Sequence, residues 1–250
     1  MQRPDPLAAC VRLPMSPIAV FDRPLTTVDL TIFSVARETR QVLLVRRSGA
    51  PEEPFPEIWA LPGGFVDLRQ DADLEHCALR KLREKTGVEA PYLEQVGSWG
   101  SAVRDPRGWS VTTVYLALIA AGGTTLAAGG NAADARWWPV EGSRVRERLA
   151  FDHGEILKAA VARLRNKVEY TSLPAFLLTS EFTLTELQQM YEVVLGRTLE
   201  KKAFRTRMLA TDLLEEVPRM KEGRSRPAQL YRLANRRRPV FFARTFSPRD

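Results

Sequence analysis

Leu61-Pro62-Gly63-Gly64-Phe65-Val66 and, after a polar gap, Arg80-Lys81-Leu82-Arg83-Glu84-Lys85-Thr86-Gly87-Val88 form the stretch that decides the fold. Trp59 to Val66 reads as strand around a Pro-Gly-Gly turn, and paired glycines let the backbone approach a neighbour or a ligand closely. Asp73 is placed to cap a helix and Gly87 to end it. Between them Leu74, Cys77, Ala78 and Leu82 recur at helical spacing as an apolar stripe. Lys81 and Lys85 project into that stripe instead of away from it. A cation on an inward face needs a partner, because burying it unpaired is costly. That partner is either an acidic side chain of the same domain or a ligand phosphate. We favour the phosphate, since perturbed charges collect at functional sites.

The same residues resemble the Nudix box: a glycine, five residues, a glutamate, seven residues, then Arg-Glu-apolar-x-Glu-Glu-x-Gly-apolar. In that family the glutamates hold Mg²⁺ against a pyrophosphate. Here Lys81 and Lys85 stand where two of them belong, and only Glu84 remains. The first box glutamate falls at Gln70 counted from Gly64, or at Ala72 counted back from Gly87, and Glu75 is out of register. Mg²⁺ demands hard oxygen ligands, and an ammonium in place of a carboxylate both removes a ligand and repels the ion. At close range each repulsion is on the order of 4 kcal/mol. The expectation is a chain that keeps a cradle for a nucleoside diphosphate, holds no metal and has lost the catalytic residues.

The chain has 250 residues, 44% of them hydrophobic, enough for two ordinary domains with a true core. Its two cysteines, Cys10 and Cys77, are far apart, which favours reduced thiols and a cytoplasmic protein. No apolar run approaches membrane-spanning length, so no membrane partner is expected. The net charge of +7 is unevenly placed. Residues 1–180 carry 22 Lys and Arg against 21 Asp and Glu, whereas residues 181–250 carry 15 against 9. The surplus therefore belongs to the C-terminal part and points to a polyanionic partner there.

Residues 1–26 are Pro-rich and read as an irregular arm. Strands are expected over 28–35, 42–46, 92–97, 111–120 and 135–140, with a turn region over 121–131 and a long helix over 151–168. Strands with two helices suggest an α+β sandwich, here residues 27–168. The pattern then changes. Thr183-Leu184-Thr185-Glu186 is a capping box, Leu187, Met190, Tyr191 and Val194 form a helical face, and Gly196 stops it. A second helix carries Phe204 and Met208 inward, and a strand, a basic loop over 219–226 and another strand, Gln229 to Leu233, follow. This is the outline of a winged helix-turn-helix over 169–240, with a tail over 241–250.

The outer side of the second helix presents Lys202, Ala203 and Thr206, flanked by Lys201, Arg205 and Arg207. Arg224 and Arg226 are candidates for a wing tip, and Arg236-Arg237-Arg238 for non-specific grip on phosphate. Double-stranded DNA is favoured over a protein partner for this face.

At this point the residues carry a wider resemblance. The segments 55–66, 104–109 and 149–153, together with 182–192, Phe204-Arg205 and 230–233, are similar to Nudix-related transcriptional regulators of NAD metabolism. The resemblance implies a Nudix α/β/α sandwich followed by a C-terminal winged helix-turn-helix, acting as a homodimer on a palindromic operator. It implies repression of NAD biosynthesis or salvage genes, relieved by ADP-ribose or a related nucleotide effector, with no cofactor required. Gly63, Gly64, Lys81, Glu84 and Lys85 are the expected ligand-binding residues of the box. Arg104, Asp105 and Arg107 are expected either to hold phosphate or ribose, or to form an ordinary surface ion cluster. The alternative reading is an active ADP-ribose pyrophosphatase with an accessory C-terminal domain.

Overall fold

The computed structural model describes residues 23–87, 92–121, 132–222, 227–236 and 238–242. Strands β1 (Leu25–Ala36) and β2 (Thr39–Arg47) form a hairpin, followed by the short strands β3 (Trp59–Ala60) and β4 (Gly63–Phe65). Helix α1 (Leu74–Thr86) precedes β5 (Tyr92–Ser101), β6 (Ser110–Leu118) and β7 (Ala132–Pro139), and α2 (His153–Val168) closes the first layer set. The sheet order is β3-β2-β1-β6-β5, with β4 pairing on β1 and β7 on β2. The β1–β6 pair is parallel and the other pairs are antiparallel.

β1 explains the sandwich. Its side chains alternate across the sheet. Val28, Leu30 and Ile32 face Cys77, Ala78 and Leu82 of α1. Phe33 and Val35 lie in the second core, which includes Ile156, Leu157, Ala160 and Val161 of α2. Both faces are covered, so the strand is buried over Thr27 to Val35, its polar Thr27, Asp29, Thr31 and Ser34 included. It begins earlier than expected, inside the segment read as an irregular arm. Leu25 pairs in parallel with Ser110, and its amide donates to the Trp109 carbonyl at 3.0 Å. A long-range parallel partner leaves no local signal in the sequence.

Asp73 caps α1 by accepting from the His76 amide, and Gly87 ends the helix at φ 66°. Helix α2 starts at His153, two residues later than expected, because Phe151 turns into the left-handed region at φ 54°. Most of the expected turn over 121–131, and the Gly223 to Arg226 loop, lie outside the described residues.

After a short 3-10 turn (Leu173–Leu177) come β8 (Phe182–Thr183), α3 (Leu184–Leu195), α4 (Lys201–Leu209), β9 (Leu214–Lys221) and β10 (Ala228–Leu233). The small sheet runs β8-β10-β9. The second core does not stop at α2. It continues through Leu173, Phe176 and Phe182 into Leu187, Met190, Phe204, Met208 and Tyr231. At this junction Arg40 of β2 is buried, donating to the Val194 carbonyl of α3 at 3.1 Å and to the Gly142 carbonyl at 2.6 Å. Burial, and the nearby charge of Arg165, lower its pKa to about 10.

Candidate functional site

The β1–β4 contact and the N-terminus of α2 frame a cleft of about 610 Å³, a size suited to a nucleotide. Its floor forbids a side chain at Gly63. A Cβ there would lie 2.2 Å from Asp29 Oδ1 and 2.5 Å from the Val28 carbonyl oxygen. Gly64, at φ 151°, gives room to Lys81, whose Nζ lies 3.4 Å from where a Cβ would stand. Lys81 also pairs with Glu84 at 3.3 Å, so the acidic partner expected of an inward cation exists on its own helix. Lys85 is 5% exposed, and burial lowers its pKa.

Glu84 serves two cations. It takes Arg80 at 2.9 Å as well as Lys81. Burial pushes its carboxyl up, but Arg80 and Lys81 outweigh burial and hold it below the usual range. Arg80 also grips Asp71 with two hydrogen bonds, of 2.7 and 2.6 Å, and holds that carboxyl well below its ordinary value. Arg80, Lys81 and Glu84 of the altered box, with Asp71 before it, thus satisfy one another as ion pairs. No group of three His, Cys, Asp or Glu among the described residues could hold a metal ion. The donor set present does not fit the Mg²⁺ of an intact box.

The 104–107 loop is buried at Arg104 and Asp105 and exposed at Arg107. Arg104 is buried and makes a two-pronged pair with Asp152, Nε at 2.9 Å and Nη2 at 2.8 Å, with Asp29 at 3.7 Å from Nη2. Asp105 is buried too and accepts from the Arg107 amide, Nε and Nη2 at 3.0, 3.0 and 2.8 Å. Both oxygens of Asp105 are therefore occupied by Arg107, which weakens its expected role toward a ribose hydroxyl.

Sequence reasoning missed Asp29, His153, Arg47 and the aromatic side chains of the cleft wall. His153 Nδ1 accepts from the Leu61 amide at 2.9 Å. Its Nε2 faces Asp29 at 3.6 Å. Burial raises the Asp29 carboxyl, but His153 and Arg104 outweigh it and the net shift is downward. Phe151 packs edge-on against Phe55 at 4.7 Å, and the Arg47 guanidinium lies 5.0 Å from its centroid. Arg107 lies 5.0 Å from the centroid of half-exposed Phe65. The alternation of β1 marked Asp29 as the one acid in an apolar strand, a signal available in the sequence. Phe55, Phe65, Phe151 and His153 lie in the segments 55–66 and 149–153 that carried the resemblance, whereas Arg47 depends on a chain crossing that no local pattern records.

The second candidate surface is α4. Phe204 and Met208 are buried, while Lys201, Lys202, Ala203 and Thr206 are exposed. Glu200 caps the helix, accepting from the Lys202 and Ala203 amides at 2.8 and 2.6 Å. Arg205 is half-buried and reaches the Thr185 hydroxyl at 3.4 Å. Arg207 departs from the expected arrangement. It turns toward the end of α2, donating to the Glu169 carbonyl at 3.2 Å and lying over Phe242. Arg236 is likewise half-buried, donating to the Leu178 carbonyl at 2.7 Å, and is not a free grip on phosphate. Arg224 and Arg226 lie outside the described residues.

Comparison with known proteins places this pair of surfaces. Residues 26–160 match the model of the NUDIX domain, and residues 174–233 match the NrtR DNA-binding winged helix domain. A curated relative, the ADPR responsive transcriptional repressor NtrR of Acinetobacter baylyi, is 51% identical over 214 residues, 86% of this chain and 84% of that protein. The chain belongs to the NrtR family. The Shewanella oneidensis NrtR structure complexed with a 27mer DNA is 41% identical and covers 83% of this chain and 93% of its own, with a TM-score of 0.76. The Nudix domain of that NrtR, in a cocrystal structure with ADP ribose, is also 41% identical, covers 60% of this chain and 94% of its own, and has a TM-score of 0.53. The Nudix sandwich and winged helix expected from the sequence are thus the NrtR fold. All eight residues expected to bind ligand line one cleft, and Lys201, Lys202, Arg205 and Thr206 share one face of α4.

Proposed function

We propose that this chain is an ADP-ribose-responsive transcriptional repressor of NAD biosynthesis or salvage genes. It binds double-stranded DNA as a homodimer through α4 and the wing. ADP-ribose or a related NAD-derived nucleotide in the cleft releases it. The observation that supports the reading is one chain with a cation-lined cleft, whose altered box lacks two of its glutamates, at one end of α2 and the cationic helix α4 past the other. At the cleft, Phe151 and His153 line the wall and Asp152 holds Arg104. Past the far end of α2, the Glu169 carbonyl holds Arg207 of α4, and the Thr171 carbonyl accepts from Tyr191 of α3 at 2.8 Å.

In this reading Gly63 and Gly64 admit the pyrophosphate, and Lys81 and Lys85 offset its charge. Arg104 and Arg107 lie beside them as further donors to phosphate or ribose. The aromatic faces of Phe65 and Phe151 offer stacking surfaces for a planar ring. Two recognition helices of a dimer must sit one DNA turn apart, near 34 Å. A ligand that prefers another orientation of α2 weakens DNA binding only by its differential affinity for the two states.

The pyrophosphatase alternative is disfavoured because Glu84 is committed to Arg80 and Lys81 and two box glutamates are lysines. The test is a gel shift on DNA upstream of NAD-biosynthesis genes of the source genome, titrated with ADP-ribose at fixed salt. A specific shift reversed by ligand is expected, and no AMP should accumulate with Mg²⁺ or Mn²⁺. Absence of any specific shift would overturn the repressor reading.

A further inference from the structure

Leu209 is 52% exposed at the end of α4, while Phe204 and Met208 on the same helix are 6% and 1% exposed. At 100° per residue, Lys202, Arg205, Thr206 and Leu209 fall within about a quarter-turn of one another. They also share one shallow surface with Glu200 and Lys201. An isolated exposed leucine is ordinary. This one is aligned with cations on the face turned outward from the core, in the part of the chain that carries the basic surplus. A polar residue at that position would leave the core untouched, so burial among the described residues does not account for the leucine.

We infer that Leu209 is a specificity-determining residue that packs on the 5-methyl group of a thymine in the major groove. The inference rests on α4 being the recognition helix. The major groove displays one apolar feature, the thymine methyl, and leucine has no hydrogen-bonding group with which to read any other. Lys202 supplies a donor for guanine acceptors on the same row, and Thr206 lies between the two. Lys202 and Leu209 are seven positions apart, so about 10 Å of helix separates them. That distance corresponds to about three base-pair steps at roughly 3.4 Å each. The bound half-site therefore places a thymine about three steps from the base that Lys202 contacts.

The experiment uses a duplex selected from a random library by the full chain, prepared once with thymine and once with every thymine replaced by deoxyuridine. Losing one buried methyl, about 0.8 kcal/mol, corresponds to about a fourfold weaker complex per half-site and roughly fifteenfold for two. Wild type is expected to show that loss, and Leu209→Ala is expected to bind both duplexes alike. Single deoxyuridine replacements should then locate the effect at one position per half-site. Equal affinity of wild type for the two duplexes, or an undiminished methyl effect in Leu209→Ala, would overturn the inference while leaving α4 as the DNA-binding helix. If the chain selects no duplex at all, the DNA reading and this inference fall together.

Discussion

Gly63 and Asp71 show how single atoms set the cleft. A methyl at Gly63 would collide with the Asp29 carboxylate and with the Val28 backbone carbonyl, and the carbonyl cannot swing aside. Gly63→Ala is therefore expected to cost about 1–3 kcal/mol of stability in urea unfolding, as over-packing does. An unchanged midpoint would mean that β4 can lift off β1 freely. Asp71 has a different signature. Arg80 holds its carboxyl well below the usual range, so the folded pKa is lower than the unfolded one. Its contribution is complete above the unfolded value of about 4 and is lost as pH falls toward the folded value. Asp71→Asn should cost about 1.5–3 kcal/mol near neutral pH, and the gap to wild type should narrow as pH falls below about 4. A gap that stayed constant across a pH series would contradict the pairing. The sequence exposed Lys81 and Lys85 by their position in a degenerate box, because helical phase alone sets which way they point. It hid the Arg80–Asp71 grip, since that bond spans the turn between loop and helix and depends on its exact course.

At the scale of elements, local chemistry was the most legible. Thr183 and Glu186 satisfy each other's amides, at 3.2 and 2.9 Å, as the capping spacing requires, and Gly196 ends α3 at φ 72°. Thr183→Ala should lower stability by about 1 kcal/mol, read from the thermal midpoint, and Thr183→Ser should restore it. If neither variant moved the midpoint, the cap would be redundant with the packing of Phe182. The same spacing rules could not reveal β8, two residues long, which exists only because β10 supplies a partner. Nor could they turn Arg207 toward Glu169, a contact between helices far apart in the chain. Elements defined by their own hydrogen bonds were readable, and those defined by another element were not.

For the whole molecule the deciding feature is the shared core. Apolar side chains run without a break from the sheet through α2 into α3, α4 and β10. The described parts of both regions should therefore unfold together, in one calorimetric transition. Arg40→Ala removes a buried guanidinium that touches the last turn of α3 and carries a charge suited to a helix C-terminus. It should cost about 1.5–3 kcal/mol and broaden or split that transition. Two separate transitions in wild type would show that the contact surface is weaker than its burial implies. That a winged helix follows the Nudix sandwich was legible from the change in periodicity after residue 170 and the basic surplus beyond residue 180. The merging of their interiors was not, because an apolar residue in a sequence does not declare which neighbour will cover it.

That continuity bears on how such a chain can be re-engineered or can diverge. A winged helix that completes its own interior can be grafted onto another sensor as a free-standing part. Here Phe176, Leu187 and Val194 belong to the same apolar cluster as Phe33 and Val42, so part of the DNA-binding region's foundation is sheet and α2. A transplanted 169–240 fragment would expose those side chains to water. Exchanging sensors in this family therefore requires carrying α2 and the Arg40 end of β2 along with the reader, so inheritance should favour recombination points in front of β1 over the junction near residue 170.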